Sequence, residues 1–432
     1  MSSPSFNGEL LQFLQQSPTP FHAVANLAQA LLDNGFEQLD EGDHWDLQQN
    51  SSYFVIRNDS ALIAFKTGQV DPVANGFRIT GAHTDSPGLK IKPKPEISKH
   101  GYLQLGVEVY GGALLYPWFD RDLSIAGRVD YQTGKGKLGS ALIDLDEPVA
   151  FIPSLAIHLD RSANAGHQIN QQKELPPIIL QQGEKGRFNF DKFLLKILRK
   201  SPANRSAESV LSHELFLYDT QAPGLVGLKK EFIASARLDN LLSCFLACQA
   251  LIKSNAKHYS VLVCNDHEEV GSVSAAGAQG PFLRSVLERV VQGSSTASDA
   301  MERAIHNSDL WSIDNAHGVH PNYSDKHDDK HSPQLNAGPV IKINANQRYA
   351  SNSQSVALFK AICNKRKIPY QAFVMRSDLA CGSTIGPITA AELGIKTVDI
   401  GIASLGMHSI RELAGAKDAE NLTRAVTAFY NR

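Results

Sequence analysis

Alternation of strand-like and helix-like segments is the feature that most constrains the fold. After about residue 229, short apolar runs such as residues 260–264 and 397–401 alternate with helical periodicity at residues 241–252 and 419–430. Strands separated by helices imply a mostly parallel sheet whose two faces are both covered. We therefore predict an α/β fold for this part of the chain.

The N-terminal part repeats this pattern, but the middle of the chain does not. Residues 23–32 have helical periodicity, and a strand at residues 77–81 runs into the polar segment 82–88. From residue 90 onward, short β runs are broken by glycine and proline. The pattern predicts a discontinuous α/β domain, residues 1–93 and 229–432, which a β-rich insert at residues 94–228 interrupts.

Composition narrows the class of protein. The 432 residues carry a formal net charge of -2 and contain no basic tract, so we expect neither nucleic acid nor a membrane as a partner. The sequence contains no run of about 18 apolar residues and no secretory leader pattern. The 5 cysteines form no Cys-x-x-Cys pair, which argues against a disulfide framework or a thiolate zinc site and favours the cytoplasm.

Five polar segments stand at predicted strand ends or helix starts, where α/β sheets place their chemistry. They are residues 83–85 (His-Thr-Asp), 237–240 (Arg-Leu-Asp-Asn), 266–271 (Asp-His-Glu-Glu-Val-Gly), 314–317 (Asp-Asn-Ala-His) and 406–409 (Gly-Met-His-Ser). Imidazole and carboxylate donors suit a divalent metal of intermediate softness, zinc first and cobalt or manganese next. Each segment alone is a weak signal, whereas their order along the chain is specific.

A two-metal hydrolase would need these residue types. Two cations about 3.5–4 Å apart need a bridging carboxylate, and a separate carboxylate must accept the proton of the attacking water. Glu268 and Glu269 could divide such roles, because adjacent side chains at a strand end point in different directions. Asp85 follows His83 by two residues and could orient its imidazole.

The ordered segments and their flanking residues resemble the aspartyl aminopeptidase family, within the co-catalytic zinc metallopeptidases. The matching words are residues 81–87 (Gly-Ala-His-Thr-Asp-Ser-Pro), 152–159 (Ile-Pro-Ser-Leu-Ala-Ile-His-Leu), 237–241 (Arg-Leu-Asp-Asn-Leu), 268–272 (Glu-Glu-Val-Gly-Ser), 316–323 (Ala-His-Gly-Val-His-Pro-Asn-Tyr), 338–342 (Gly-Pro-Val-Ile-Lys), 381–387 (Cys-Gly-Ser-Thr-Ile-Gly-Pro) and 407–412 (Met-His-Ser-Ile-Arg-Glu). The resemblance extends from Pro18 to the C-terminal helix. It implies a zinc exopeptidase fold, a dimerisation role for the insert and a dodecamer built from dimers.

The resemblance also implies roles for the candidate metal-site residues. His83 and Asp314 would bind one zinc ion and Glu269 and His408 a second, with Asp239 as the bridge. Glu268 would be the general base acting on a water that bridges the two zinc ions, and Asp85 would orient His83. The implied reaction is removal of an N-terminal residue, preferably Asp or Glu, from peptides.

Three further residues are expected at the substrate. Lys342 could supply the positive partner that an acidic side chain requires. The resemblance suggests that His158 reaches the active site of a neighbouring subunit and stabilises the oxyanion, with direct metal contact as the alternative. His317 is expected in the pocket or behind the ligands.

Two other hypotheses remain open from the sequence. A carboxypeptidase or an amide deacylase could use the same metal centre on a similar scaffold. Alternatively, the chain could be a self-assembling, non-catalytic binding protein whose metal site is vestigial. The intact set of ligands and base disfavours the second of these.

Overall fold

The structure, a computed structural model, describes residues 5–181, 188–255 and 257–432. Residues 182–187 of the predicted insert, residues 1–4 of the predicted first segment and residue 256 lie outside the described part. No helix in the described part combines the length and the apolar character needed to cross a bilayer.

The described helices begin and end as follows, in chain order: α1 (Phe6–Gln16), α2 (Pro20–Asp33), α3 (Pro72–Asn75), α4 (Gln171–Glu174), α5 (Phe190–Leu198), α6 (Leu238–Lys253), α7 (Phe282–Gln292), α8 (Ala300–His306), α9 (Ser353–Arg366), α10 (Ile385–Leu393) and α11 (Asp418–Tyr430). Helix α2 shows how the sequence sets a helix start. Thr19 is its N-cap and accepts a hydrogen bond from the backbone N–H of His22, and Pro20 occupies the first helical position.

The described strands are β1 (Glu37–Gln38), β2 (Ser52–Arg57), β3 (Ala61–Lys66), β4 (Arg78–His83), β5 (Gly88–Lys99), β6 (Tyr102–Tyr110), β7 (Leu123–Thr133), β8 (Leu138–Asp144), β9 (Ile178–Gln181), β10 (Ala207–Asp219), β11 (Gly224–Val226), β12 (Phe232–Ser235), β13 (Ser260–Asn265), β14 (Asp309–Ile313), β15 (Ala316–His317), β16 (Val340–Ile343), β17 (Gln371–Val374), β18 (Lys396–Gly401), β19 (Ala403–Leu405) and β20 (Glu412–Gly415).

The chain divides into two compact units. The first contains Met1–Ser86, Pro223–Met407 and Glu412–Arg432, and the second contains Pro87–Ala222 and His408–Arg411. The second unit begins before residue 94 because β5 pairs with β6 and β10 from its first residues onward. The predicted domain boundaries, after residues 93 and 228, stay an interpretation of the sequence.

The first unit has the predicted α/β architecture. Its large sheet has the strand order β1-β2-β3-β13-β4-β14-β18-β16-β17 in the described residues. The central strands β13, β4, β14 and β18 are parallel to one another, while β3 and β16 run antiparallel to their neighbours in this group. A smaller sheet has the order β11-β12-β20-β19-β15.

Helices cover both faces of the large sheet. Side chains of α1, α2, α6, α9 and α11 join one apolar cluster with sheet residues such as Trp311, whose ring stacks on Phe429 with centroids 4.2 Å apart. Side chains of α7 and α8 form a second cluster with sheet residues such as Phe65 and Ile79. Because both faces are buried, β3, β4 and β13 contain only buried residues. The α/β prediction is therefore confirmed.

The second unit is β-rich, as the sequence predicts. Its sheet has the order β8-β7-β10-β5-β6-β9, and all of its described pairings are antiparallel. Helix α5 packs on this sheet through Phe190, Leu194 and Leu198. The return of residues 408–411 to this unit has no signal in the sequence pattern.

Candidate metal centre

Three adjacent parallel strands bring most of the candidate ligands to one edge of the large sheet. Strand β4 ends at His83, β14 ends one residue before Asp314, and β13 ends shortly before the 3-10 turn that contains Glu268 and Glu269. Asp239 lies in the first turn of α6. The carboxyl ends of parallel strands meet at one edge, which is where α/β folds place their ligands.

His83 lies at the centre of the candidate ligands. Its Nε2 atom is 3.5 Å from Asp239 Oδ1 and 3.6 Å from Asp314 Oδ1. The candidate ligand atoms of these three residues all lie within 4.8 Å of one another, and the same is true of His83, Glu268 and Glu269. Donor atoms this close together can bind one or more cations.

Asp85 connects His83 to the glutamate pair. The Nδ1 atom of His83 lies 3.1 Å from the Asp85 carbonyl oxygen and 3.3 Å from Asp85 Oδ1. The two carboxylate oxygens of Asp85 also accept hydrogen bonds from the backbone N–H groups of Glu268 and Glu269, each at 3.1 Å. If Nδ1 carries the proton, Nε2 has the lone pair that a metal requires.

Asp239 is held through its main chain. Its backbone N–H donates to Glu412 Oε2 at 2.9 Å, and its carbonyl oxygen accepts from Ser86 Oγ at 2.6 Å. Glu412 is 2% exposed. The sequence alone predicts no role for Glu412 or Ser86. Both lie within segments that carry the family resemblance, and this position was the one indication that they belong near the site. The Asp239–Asn240 peptide bond is cis.

Lys342 lies beside the candidate ligand Asp314. Its Nζ atom donates to Asp314 Oδ2 and to the carbonyl oxygen of Asn315, both at 3.1 Å, and lies 5.1 Å from the centroid of the Tyr349 ring. The side chain of Lys342 is fully buried. A buried charged group needs such partners, and the charge of Lys342 stabilises the ionised form of Asp314.

The carboxyl groups of the candidate ligands lie close enough together to shift one another's pKa values. Burial together with Asp314, Asp239 and Asp85 raises the pKa of Glu268 to about 7 despite the opposing effect of His83. The pKa of Glu269 is raised well above its usual range by burial and the charge of Asp239. Without a cation, the carboxylates therefore disfavour one another's ionisation.

The opposite shifts occur at the residues with positive partners. Burial would raise the pKa of Asp314, but Lys342 and His83 outweigh it and hold that pKa well below its usual range. Burial would likewise lower the pKa of His83, but Asp239, Asp314 and Asp85 raise it well above its ordinary value. A proton on His83 partly replaces the positive charge that a metal ion would bring.

The donor set fits zinc. An imidazole nitrogen among carboxylate oxygens suits zinc, whereas calcium and magnesium prefer oxygen donors alone. His83 contributes the nitrogen, and Asp239, Glu268, Glu269 and Asp314 contribute oxygens at one location. A divalent cation would relieve the mutual repulsion of these carboxylates.

The remaining predicted site residues include three further histidines. His317 is on β15 of the small sheet, with its ring edge-on to Phe373 at 5.5 Å between centroids. His158 is exposed in a turn of the second unit. His408 also groups with the second unit, where its Nδ1 atom lies 3.0 Å from the carbonyl oxygen of Gly112. The roles of all three stay predictions.

Comparison with known proteins identifies the family. The family described as aminopeptidase I zinc metalloprotease (M18) matches residues 13–430. The chain belongs to the M18 family. This is the aspartyl aminopeptidase family, so the resemblance drawn from the sequence is confirmed. The M18 chain is accordingly a zinc metalloprotease that removes N-terminal residues, and the carboxypeptidase, deacylase and non-catalytic hypotheses are set aside.

Similar proteins span nearly the full M18 chain. A probable M18 family aminopeptidase 2 of Pseudomonas putida is 54% identical over 426 residues, which is 99% of this chain and 98% of the relative. In the cryo-EM structure of the Ape4 and Nbr1 complex, the matching chain is 41% identical with a TM-score of 0.94, covering 98% of this chain and 84% of that one. The S. cerevisiae mApe1 dodecamer is 28% identical with a TM-score of 0.85, covering 100% and 97%.

Proposed function

We propose that this M18 aminopeptidase removes an N-terminal residue, preferably Asp or Glu, from peptides through a centre of two zinc ions with Glu268 as the general base. The observation that carries the proposal is the group of His83, Asp239, Glu268, Glu269 and Asp314 at one sheet edge. A catalytic zinc takes three protein ligands and keeps one open position. The remaining carboxylates of the group favour a second cation.

The ligands divide between the two ions as the family resemblance implies. His83 and Asp314 would hold one ion, Glu269 and His408 the other, and Asp239 would lie between them. The hydrogen bond that His408 Nδ1 can donate to Gly112 supports its role, because this tautomer carries its lone pair on Nε2. Cobalt or manganese could replace zinc, since both accept the same nitrogen and oxygen donors.

In the proposed reaction, Glu268 transfers a proton. Bound zinc would act as a Lewis acid on the scissile carbonyl and acidify the attacking water. The Glu268 carboxylate accepts a proton from that water and returns it to the leaving amine. Its backbone N–H donates to Asp85 at 3.1 Å, which fixes the main chain at the base of the Glu268 side chain, while Asp85 also orients His83.

Substrate selection involves the cation Lys342. An acidic first side chain needs a positive partner in a dry site, and Lys342 is a buried ammonium group next to Asp314. With the charge of Asp314 shared with a bound cation, Lys342 would be available to a substrate carboxylate. His317, three residues after Asp314, would contact the peptide from β15.

His158 would act from a neighbouring subunit of a dodecamer built from dimers of the second unit. Leu155, Ile157 and Leu159 beside it are 61%, 47% and 76% exposed. An exposed apolar strip of this kind is suited to burial against another chain. The dodecameric relative supports this assembly. His158 would then stabilise the oxyanion across the interface.

We also place this enzyme in the cytoplasm, acting on peptides. Its five cysteines are free thiols, four of them buried. Unpaired thiols suit a reducing compartment.

The decisive experiment is a panel of aminoacyl-peptide substrates that differ only in the first residue. Peptides that begin with Asp, Glu, Leu, Ala or Lys would be tested with the metal-free and the zinc-restored enzyme. We expect the Asp and Glu peptides to be hydrolysed much faster than the others, and all hydrolysis to require zinc, at two zinc ions per chain by elemental analysis. An N-acetylated Asp peptide is the matched control and should resist cleavage. Equal rates for Leu and Asp peptides would contradict the proposed preference.

A further inference from the structure

A cavity lies in the first unit, at the other end of helix α6 from the candidate metal centre. It has a volume of about 630 Å³ and is lined by side chains of α1, α6, α9 and α11. Asp239 is in the first turn of α6 and Lys253 ends it. At about 1.5 Å per residue, the helix places the cavity roughly 20 Å from Asp239. The cavity is therefore separate from the catalytic site.

The cavity concentrates positive charge. Five of its lining side chains are cationic and one, Glu420, is acidic; the cations are Lys253, Lys365, Arg366, Lys367 and Arg424. In the residues that the structure describes, no ion pair joins any of the five to a carboxylate. The hydrogen bonds recorded for the guanidinium of Arg424 go to the carbonyl oxygen of Arg366 and to Asn421 Oδ1.

Helix capping accounts for only part of this charge. Helices α6, α9 and α11 end near the cavity, and cations commonly offset the partial negative charge of helix C-termini. Each terminus carries about half a negative charge, so the three termini and Glu420 together offset roughly 2.5 of the five positive charges. Roughly 2.5 positive charges in the cavity are therefore not offset by these groups. They require either counter-ions or a bound anion.

We propose that this basic cavity binds a small phosphate-bearing molecule that carries two or three negative charges. Its volume falls within the range of about 300–1,000 Å³ that is typical of small-ligand sites. Arg424 supplies a planar guanidinium and the lysines supply mobile point charges, a combination that suits phosphate oxygens. The Phe6 ring, with Lys253 Nζ at 5.5 Å from its centroid, gives one wall an apolar surface for the rest of the ligand.

Isothermal titration calorimetry on the full-length, zinc-loaded enzyme tests the proposal, with inorganic pyrophosphate and ADP as probes. The double variant Lys253→Gln with Lys365→Gln removes two cavity charges. The matched control is Lys192→Gln with Lys196→Gln on α5, two exposed lysines of the second unit. We expect the cavity variant to bind at least one probe roughly tenfold more weakly or worse, and the control to change by less than about twofold.

The outcomes separate the cavity from other anion sites. If the cavity variant binds the probes as tightly as the unaltered enzyme, as it would if they chelate the zinc centre, the proposal is overturned. It is also overturned if neither probe binds the unaltered enzyme. Binding that weakens equally in both variants would indicate only a general effect of net charge and would also overturn it. The substituted lysines are exposed, and thermal unfolding without ligand checks that both variants fold. Hydrolysis of the Asp peptide should be unchanged in both, because the cavity lies far from the catalytic residues.

Discussion

The backbone N–H of Asp239 donates to the carboxylate of Glu412 across 2.9 Å, although 173 residues separate the two in the chain. Glu412 is buried at the start of β20. This contact fixes the main chain of the proposed bridging ligand without using its side chain. We therefore expect Glu412 to be a positioning residue for the proposed metal centre.

Replacing Glu412 tests this positioning role. Glu412→Ala leaves the buried Asp239 N–H without its acceptor, and we expect a loss of about 1–3 kcal/mol in stability. Zinc affinity should fall about 10- to 100-fold, as for other groups that orient ligands. Glu412→Gln retains an oxygen acceptor and should restore zinc affinity to near the wild-type value. Chelator competition measures the affinity, and an Ala variant that loses only thermal stability would show a merely structural role.

Glu268 is expected to act on protons rather than on metal. Glu268→Gln preserves size and the backbone hydrogen bond to Asp85 but cannot accept a proton. We expect kcat to fall about 10²- to 10⁴-fold with zinc content near normal. Glu288→Gln, on the exposed surface of α7, is the control and should be fully active. Substantial turnover by Glu268→Gln, measured with the Asp peptide, would remove Glu268 from the mechanism.

Asp239 is expected to determine metal content. Asp239→Asn removes the charge that would lie between two cations, so their repulsion is no longer screened. We expect elemental analysis to find at most one zinc ion per chain and activity to be lost. A variant that keeps two ions would show that Asp239 is not the bridge.

Lys342 is expected to decide which first residue is accepted. Lys342→Met keeps most of the length of the side chain but removes its charge, so kcat/KM for the Asp peptide should fall at least about tenfold more than for a Leu peptide. Lys360→Met is the matched control, because that exposed lysine also lies over a tyrosine ring, Tyr370, at 5.8 Å. An equal loss for both peptides would instead indicate that Lys342 serves only to hold Asp314.

The elements that the sequence predicted well are those with strong periodicity. The helix predicted at residues 241–252 is α6, and the strand predicted at residues 260–264 is β13. The helix α1 was missed although its buried Leu10, Phe13 and Leu14 have helical spacing. Pro93 and Pro95 lie inside β5, where they interrupt the alternating pattern that indicates a strand.

The sequence by itself determined which candidate metal ligands this protein has and to which family it belongs. Ordered motifs and their flanking residues are local properties of the chain and can be read without the fold. Only the tertiary structure decided that Asp85 holds the glutamate pair, that Glu412 holds Asp239 and that Lys342 lies against Asp314. The same holds for the basic cavity, whose lysines and arginines come from helices distant in sequence. Such contacts depend on strand order and helix packing, which bring together residues that no sequence spacing relates.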